Sequence, residues 1–227
     1  MYKNGKKFIV NNLIMDFKRF VISISFFWKI IQYIDPTFIN SYDKKITNDY
    51  ILNFASDKKI SSVLDFGCAA GNFLYDLKKK NSNTLCYGID ISSSALKVCK
   101  NKFDKLNLSK KTYSFHSFTD EKKINDFLDS NKISNFDLII FDRVLFCLTE
   151  SKIKNQLSIL SKYAKLIFID DFQLDKDLST QGYNHRDWIS IMKIFNFECK
   201  TNISTIYSQV DRANPRTLVF KNLALTK

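Results

Sequence analysis

The sequence predicts an α/β domain: a doubly wound, mostly parallel sheet of seven strands, with an antiparallel hairpin at one edge and a helical cap at the amino terminus. Three observations carry this reading. Short apolar β-type runs alternate with helical patterns between residues 61 and 170, which requires crossover connections and a parallel sheet covered on both faces. Two later strand-like runs, 197–207 and 216–222, flank the turn-rich Asp211-Arg212-Ala213-Asn214-Pro215, as neighbouring antiparallel strands do. A side-chain-poor turn, Gly67-Cys68-Ala69-Ala70-Gly71, follows the first strand and opens a helix.

In chain order, residues 7–34 read as one or two helices broken at Asp35-Pro36, since proline disfavours helix for the residue before it. Residues 1–36 are therefore expected as the cap and 37–227 as the main domain. A helix over 37–56 leads into strand 61–66, then helix 71–80, strand 84–90, helix 92–103 and strand 111–116. Helix 120–130, strand 136–142, helix 150–162, strand 164–170 and a helix from 183 to about 195 complete the alternation before the hairpin. There is no internal repeat or low-complexity tract.

Composition bounds the function classes. A chain of 227 residues that is 45% hydrophobic and 15% aromatic holds one substantial core and is not globally disordered. The net charge of +12 admits nucleic acid or an anionic membrane as a partner. Abundant Lys, Asn, Ile, Phe and Tyr beside scarce Gly and Pro are equally what AT-rich coding produces, and the lysines are scattered apart from clusters at 58–59, 78–80 and 122–123. No arginine-rich arm or aromatic-basic ribonucleoprotein motif is present, so RNA is the weaker partner reading. Cysteines 68, 86, 99, 147 and 199 show no Cys-x-x-Cys spacing and an odd count, the pattern of reduced thiols in a cytoplasmic protein. With two histidines and no ligand spacing, no metal is expected. The uncharged run from Phe20 to Trp28 is far shorter than the ~20 residues that span a bilayer and lacks a small-x-small cleavage site after it. It reads as an amphipathic cap over the cleft, with superficial membrane contact through residues 17–34 or a dimer interface as the other readings.

The chemistry concentrates at strand ends. Small residues at 67, 69, 70 and 71 let a ligand approach the main chain, and Asp65 offers an acceptor to ammonium or hydroxyl groups. Asp90 closes the next strand at about the ~20-residue offset at which a βαβ unit presents an acid to ribose hydroxyls. Either aspartate alone is as readily a helix cap; together, beside a glycine-rich turn, they mark a nucleoside-type ligand. The nicotinamide fingerprint needs glycine at its first, third and sixth positions, where this chain has Gly67, Ala69 and Asn72, which argues against a dehydrogenase.

Asp65-x-Gly67-x-Ala69-x-Gly71 instead resembles motif I of the class I S-adenosylmethionine-dependent methyltransferases, acidic-x-Gly-x-Gly-x-Gly. The run Gly88-Ile89-Asp90-Ile91-Ser92 resembles that family's second motif, Phe136 to Asp142 its fourth strand and Leu166 to Asp171 its fifth, so the likeness covers roughly residues 40–223. The resemblance implies a Rossmann-like sheet with antiparallel edge strands and S-adenosyl-L-methionine as cofactor. It implies that Gly67, Ala69 and Gly71 line the methionine and ribose part, with Asp65 near the amino group. It further implies Asp90 at the ribose hydroxyls, Ile91 on the adenine, and Asp142, just past the fourth strand, where the family often contacts cofactor or acceptor. Two departures stand out: Ala69 replaces the middle glycine, and Phe115-His116-Ser117-Phe118 lacks the aspartate that many members carry at the adenine edge, where Ser117 or His116 substitutes.

Methyl transfer is an in-line attack in which the nucleophile must lie about ~3 Å from the methyl carbon, and a hydroxyl acceptor needs a base. The segment densest in suitable groups follows the fifth strand: Asp170-Asp171-Phe172, then Gly182-Tyr183-Asn184-His185-Arg186-Asp187-Trp188. His185, which titrates near neutrality, and Asp171 are the candidate catalytic residues. Arg186 is a candidate for a phosphate or carboxylate on the acceptor, with Tyr183 and Trp188 as pocket walls. Alternatively, Asn184 and Asp187 have capping-box-like spacing and start a helix, leaving His185 on its surface. After the fourth strand the chain reads Asp142-Arg143-Val144-Leu145, without the Asp/Asn-Pro-Pro-aromatic motif of adenine-amino methylation. Cys147 lacks the preceding proline of cytosine-carbon methylation and, between Phe146 and Leu148, reads as a core thiol.

The sequence thus points to a methyltransferase acting on oxygen or nitrogen of a small-molecule, sugar or lipid-linked acceptor. An RNA methyltransferase, expected to carry a contiguous Lys/Arg surface around the cleft mouth, and a non-catalytic nucleoside-binding regulatory protein are the alternatives.

Overall fold

The computed structural model describes residues 45–106, 109, 112–117, 121–172, 186–204 and 215–225. The expected cap at residues 1–36 lies outside them.

Helix α1 (Lys45–Asp57) leads to β1 (Ser62–Phe66), α2 (Asn72–Lys80), β2 (Leu85–Asp90), α3 (Ser93–Asp104) and β3 (Tyr113–Ser117). The second half runs α4 (Glu121–Ser130), β4 (Phe136–Asp142), a 3-10 turn at Leu145–Cys147, α5 (Glu150–Leu160), a second 3-10 turn at Ser161–Tyr163 and β5 (Ala164–Phe172). Helix α6 (Trp188–Ile194) and strands β6 (Phe197–Ser204) and β7 (Pro215–Asn222) follow. The seven strands line up as β3-β2-β1-β4-β5-β7-β6, parallel from β3 to β5, with β7 antiparallel to both β5 and β6. This is the doubly wound sheet with an antiparallel edge hairpin that the alternation of patterns predicts.

Strand alternation sorts the core into two layers. In β4, Leu138 and Ile140 join the helices α1, α2 and α3 on one face, while Ile139 and Phe141 join α4, α5 and α6 on the other. Burying each such side chain contributes about 1.5–3 kcal/mol, so a strand apolar on both faces is stable only between two helix layers. Strand order reverses between β1 and β4, where Asp65 lies opposite Ile140. In open α/β sheets the carboxyl ends at such a reversal form the ligand crevice.

One boundary differs from expectation. Helix α6 starts at Trp188, and its N-cap is Asp187, whose carboxylate accepts from the Ser190 N–H at 3.1 Å and the Ser190 hydroxyl at 2.6 Å. A cap with both ties to Ser190 starts the helix five residues later than a start at 183 would. The notion that Asn184 caps this helix is corrected accordingly.

Candidate active site

The turn after β1 is shaped by three backbone positions in the left-handed region: Gly67 (φ 87), Ala69 (φ 47) and Gly71 (φ 66). A Cβ on Gly67 would lie 2.7 Å from Cγ2 of Val144, so the segment after β4 packs directly on this turn. Ala69 carries the cost that glycine avoids there, about 1–2 kcal/mol for an L-residue in this region. Its N–H donates to Asp90 Oδ2 at 2.8 Å, which fixes the turn in place. The Gly67 and Cys68 N–H groups both donate to the Ile89 carbonyl, and the Gly71 N–H to the Cys68 carbonyl. Gly71 caps α2 without a side-chain hydrogen bond, so the positive end of the helix dipole opens on the turn.

Asp90 holds a second tie: its Oδ1 accepts from the Ser92 N–H at 2.8 Å, and Ser92 in turn caps α3 through Ala95. Each carboxylate oxygen has two lone-pair sites, so Asp90 can accept hydroxyls while it holds both loops. Asp65 is buried at the end of β1 beside the turn. Asp90 and Ser117 are register partners at the ends of β2 and β3, and the Ser117 hydroxyl donates to the Ile91 carbonyl at 3.3 Å. Asp65, Gly67, Ala69, Gly71, Asp90, Ile91 and Ser117 are thus brought together along the carboxyl ends of β1, β2 and β3. His116 turns away, its ring packed 4.6 Å from Phe127 of α4, where burial pushes its pKa down.

The other wall follows β4 and β5. Asp142 is half-buried and pairs in register with Asp170. Arg143, at φ 54, donates its N–H to the Asp170 carbonyl at 2.8 Å and its Nε to Asp170 Oδ2 at 3.3 Å. The other oxygen of Asp170 accepts from the Thr217 hydroxyl at 3.1 Å. Asp171 is fully buried, and its Oδ2 accepts from the Phe146 N–H at 3.0 Å. Arg186 crosses the same turn, donating to the Leu145 carbonyl at 3.1 Å and the Leu148 carbonyl at 2.7 Å, with its guanidinium 5.7 Å from the Trp188 ring centre. Burial pushes the Arg186 pKa down, against the pull of Asp171 and Glu150.

This geometry revises two expectations. Arg186 faces the protein rather than an acceptor, because the Leu145 and Leu148 carbonyls at the 3-10 turn take its donors. Cys147 is half-buried on that turn, not a core thiol. Trp188 is fully buried in the core. His185 and Tyr183 lie outside the described residues.

Sequence reasoning missed Val144, Arg143 and Lys102. Lys102, on α3, reaches the Ala70 carbonyl at 3.2 Å and the Asn72 side chain, bracing the turn from behind. Nothing in the spacing of these residues announces a partner across the sheet. Among the described residues, no group of three or more His, Cys, Asp or Glu could hold a metal ion, and no helix is long and apolar enough to cross a membrane.

Residues 57–208 match the model of a methyltransferase domain family. The chain belongs to that family. It is a class I S-adenosylmethionine-dependent methyltransferase, which sets aside the non-catalytic reading. No curated protein matches the sequence. Among solved structures, the methyltransferase resembles the N-methyltransferase NodS from Bradyrhizobium japonicum in complex with S-adenosylhomocysteine (16% identity, TM-score 0.60), with 82% of this chain and 90% of that one covered. Magnesium protoporphyrin IX methyltransferase from Synechocystis with bound S-adenosylmethionine aligns at 16% identity and a TM-score of 0.59 over 78% of each chain. The methyltransferase domain of bacterial CtHen1 aligns at 16% identity and 0.58 over 77% of this chain and 97% of that one. At such identities the likeness speaks for the fold.

Proposed function

We propose that this methyltransferase acts on oxygen or nitrogen of a small, uncharged or cationic acceptor, such as a metabolite, a sugar or a lipid-linked intermediate. The observation that supports this is the charge at the carboxyl ends of the strands. Asp65, Asp90, Asp142, Asp170 and Asp171 terminate β1, β2, β4 and β5, while Arg143 and Arg186 are turned into the protein on Asp170 and on the Leu145 and Leu148 carbonyls. With Asp170 and Asp171 buried and both arginines turned inward, these strand ends present the half-buried Asp142 and neither arginine to a substrate, where a phosphate backbone needs a cationic track. This disfavours the RNA reading.

S-adenosylmethionine supplies an electrophilic sulfonium methyl when bound, and the residues present suit it: carboxylates for its ammonium and hydroxyl groups beside a turn with little side chain. In this reading Gly67, Ala69 and Gly71 line the methionine and ribose part and Asp65 receives the amino group. Asp90 accepts the ribose hydroxyls, Ile91 covers the adenine and Ser117 meets its edge. Asp142, across the strand reversal, orients cofactor against acceptor. His185 serves as the base that takes the acceptor proton. Asp171 acts through the main chain, holding the turn at Phe146 that faces the acceptor.

The test pairs binding with product analysis. Calorimetric titration should give saturable binding of S-adenosylmethionine and S-adenosylhomocysteine but not NAD, weakened at least about tenfold by Asp90→Ala, which removes hydrogen bonds to a charged acceptor. Radiolabelled methyl transfer into a fractionated cell extract should then label the low-molecular-mass or lipid fraction. Label entering RNA instead would sink the acceptor assignment while leaving the cofactor site standing.

A further inference from the structure

The active site occupies one pole of the sheet, and the surface at the other pole has a different character. Helices of a doubly wound fold end where the parallel strands begin, so helix C-termini and strand starts share that pole. Hydrogen bonds trace it as one continuous rim. The Leu223 N–H meets the Asn196 carbonyl, the Asn222 amide spans the Ser161 and Ala164 carbonyls, Lys165 reaches Asp137, Asp137 receives Ser61, and the Leu85 N–H meets the Ser61 carbonyl. At ~4.8 Å per strand the rim is about 30 Å long.

Along it stand the exposed lysines Lys58, Lys59, Lys80, Lys132, Lys162 and Lys193. Opposing charge is sparse or engaged. Asp137 and Glu198 are paired with Lys165 and Lys200, Asp104 with Lys100, and Asp57 and Asp129 are the remaining exposed acids at these helix ends. Helix dipoles favour cations at C-termini and explain part of this placement. They do not explain the aliphatic residues. Ile194 is 71% exposed, Leu223 52% and Leu225 41%, all at the corner where α6 ends and β7 leaves the sheet, and Leu85 is exposed at the start of β2. Four of the six large exposed hydrophobic residues of the described chain therefore fall on the lysine-bearing pole.

We propose that this pole is a docking surface for an anionic lipid bilayer, with Ile194, Leu223 and Leu225 entering the headgroup boundary and the lysine rim resting on acidic headgroups. The composition selects lipid over nucleic acid. Single-stranded RNA is held by aromatic platforms and arginine planes, whereas this rim offers lysine and aliphatic side chains, which suit an interface. Docking in this orientation turns the carboxyl ends of the strands, and with them the active site, away from the bilayer, which favours a water-borne metabolite or sugar among the proposed acceptors over one held in the same membrane.

Sedimentation of the full chain with vesicles of phosphatidylcholine, with or without about 30% phosphatidylserine, tests this. Binding is expected to the acidic vesicles and to be lost in high salt. Lys162→Glu with Lys193→Glu should weaken it at least roughly tenfold, since each basic residue near the surface contributes about fivefold. Ile194→Ser with Leu223→Ser should weaken it severalfold, with calorimetric binding of S-adenosylmethionine unchanged in both variants as the folding control. Failure to bind acidic vesicles would overturn the proposal. So would binding that neither pair of substitutions alters, which would locate the contact elsewhere in the chain. Charge-reversal-sensitive binding of single-stranded RNA in the absence of vesicle binding would assign the rim to nucleic acid and overturn it equally.

Discussion

At the amino end of the sheet, Asp137 opens β4; at the carboxyl end, Asp90 closes β2. The Asp137 carboxylate receives the Ser61 N–H at 2.9 Å, the Ser61 hydroxyl at 2.5 Å, the Ser62 N–H at 3.2 Å and Lys165 Nζ at 2.8 Å. Burial raises its pKa, but the hydrogen bonds from Lys165 and Ser61 and the charge of Lys165 outweigh that and bring it down to about 2. Asp90 receives two N–H groups, both from loops. One carboxylate joins β1, β4 and β5 into a sheet; the other ties the turn after β1 to the start of α3. The amino end is thus built for cohesion, with Lys78 buried on the Thr84 and Thr112 carbonyls and Asn222 bridging two strand connections. The carboxyl end holds Gly67, Ala69, Gly71 and Arg143 in the left-handed region beside the buried carboxylates Asp65, Asp90, Asp170 and Asp171, whereas the left-handed residues of the amino end, Lys59, Lys132 and Asn196, lie where helices pass into strands. Buried carboxylates, rather than backbone strain, set the carboxyl end apart.

If this division holds, substitutions at the two ends should separate into effects on cofactor binding and effects on stability. The largest effect is expected for Gly67→Ala, which places a Cβ 2.7 Å from Val144 at a φ of 87. It should cost about 1–3 kcal/mol of stability and weaken S-adenosylmethionine binding at least about tenfold, read by calorimetry; unchanged affinity would break the assignment of the turn. Lys78→Met, at the other end, should lower stability by about 1–2 kcal/mol because buried carbonyls lose their donor. Denaturant melts would show this, and the affinity for S-adenosylmethionine should not move.

Asp137→Asn sharpens the contrast through pH. A carboxyl whose folded pKa lies below its unfolded value of about 4 stabilises the fold above that pH, and the gain is lost as pH falls through about 2. The gap between wild type and variant in urea midpoints should be widest above about pH 4 and close toward pH 2. Because Lys165 is 43% exposed, solvent screening holds the gap to about 1 kcal/mol. The smallest effect is expected for Ala69→Gly. Relief of the φ of 47 is set against the greater freedom of glycine in the unfolded chain, so a change within about 1 kcal/mol in thermal unfolding is expected, in either direction. A larger loss would mean that the Ala69 methyl packs where the backbone argument gives it no role.

The strand and helix order was legible in the sequence because it rests on local causes: alternating apolar residues, helical periodicity and turn chemistry within a dozen residues. Strand β4 was expected at 136–142 and is found at Phe136–Asp142. The turn from Gly67 to Gly71 and the acids Asp65 and Asp90 were legible for the same reason, since their spacing belongs to one βαβ unit. Tertiary structure alone decided which long or charged side chains meet. Arg186 finds carbonyls of the 3-10 turn 41 and 38 residues earlier in the chain, Lys102 reaches back to the Ala70 carbonyl, and six exposed lysines from distant parts of the sequence share one pole because each α/β repeat ends its helix there. A side chain's own neighbours set its secondary structure, but its partners are whatever distant segments the sheet order brings within hydrogen-bonding distance, and that order is a property of the whole chain.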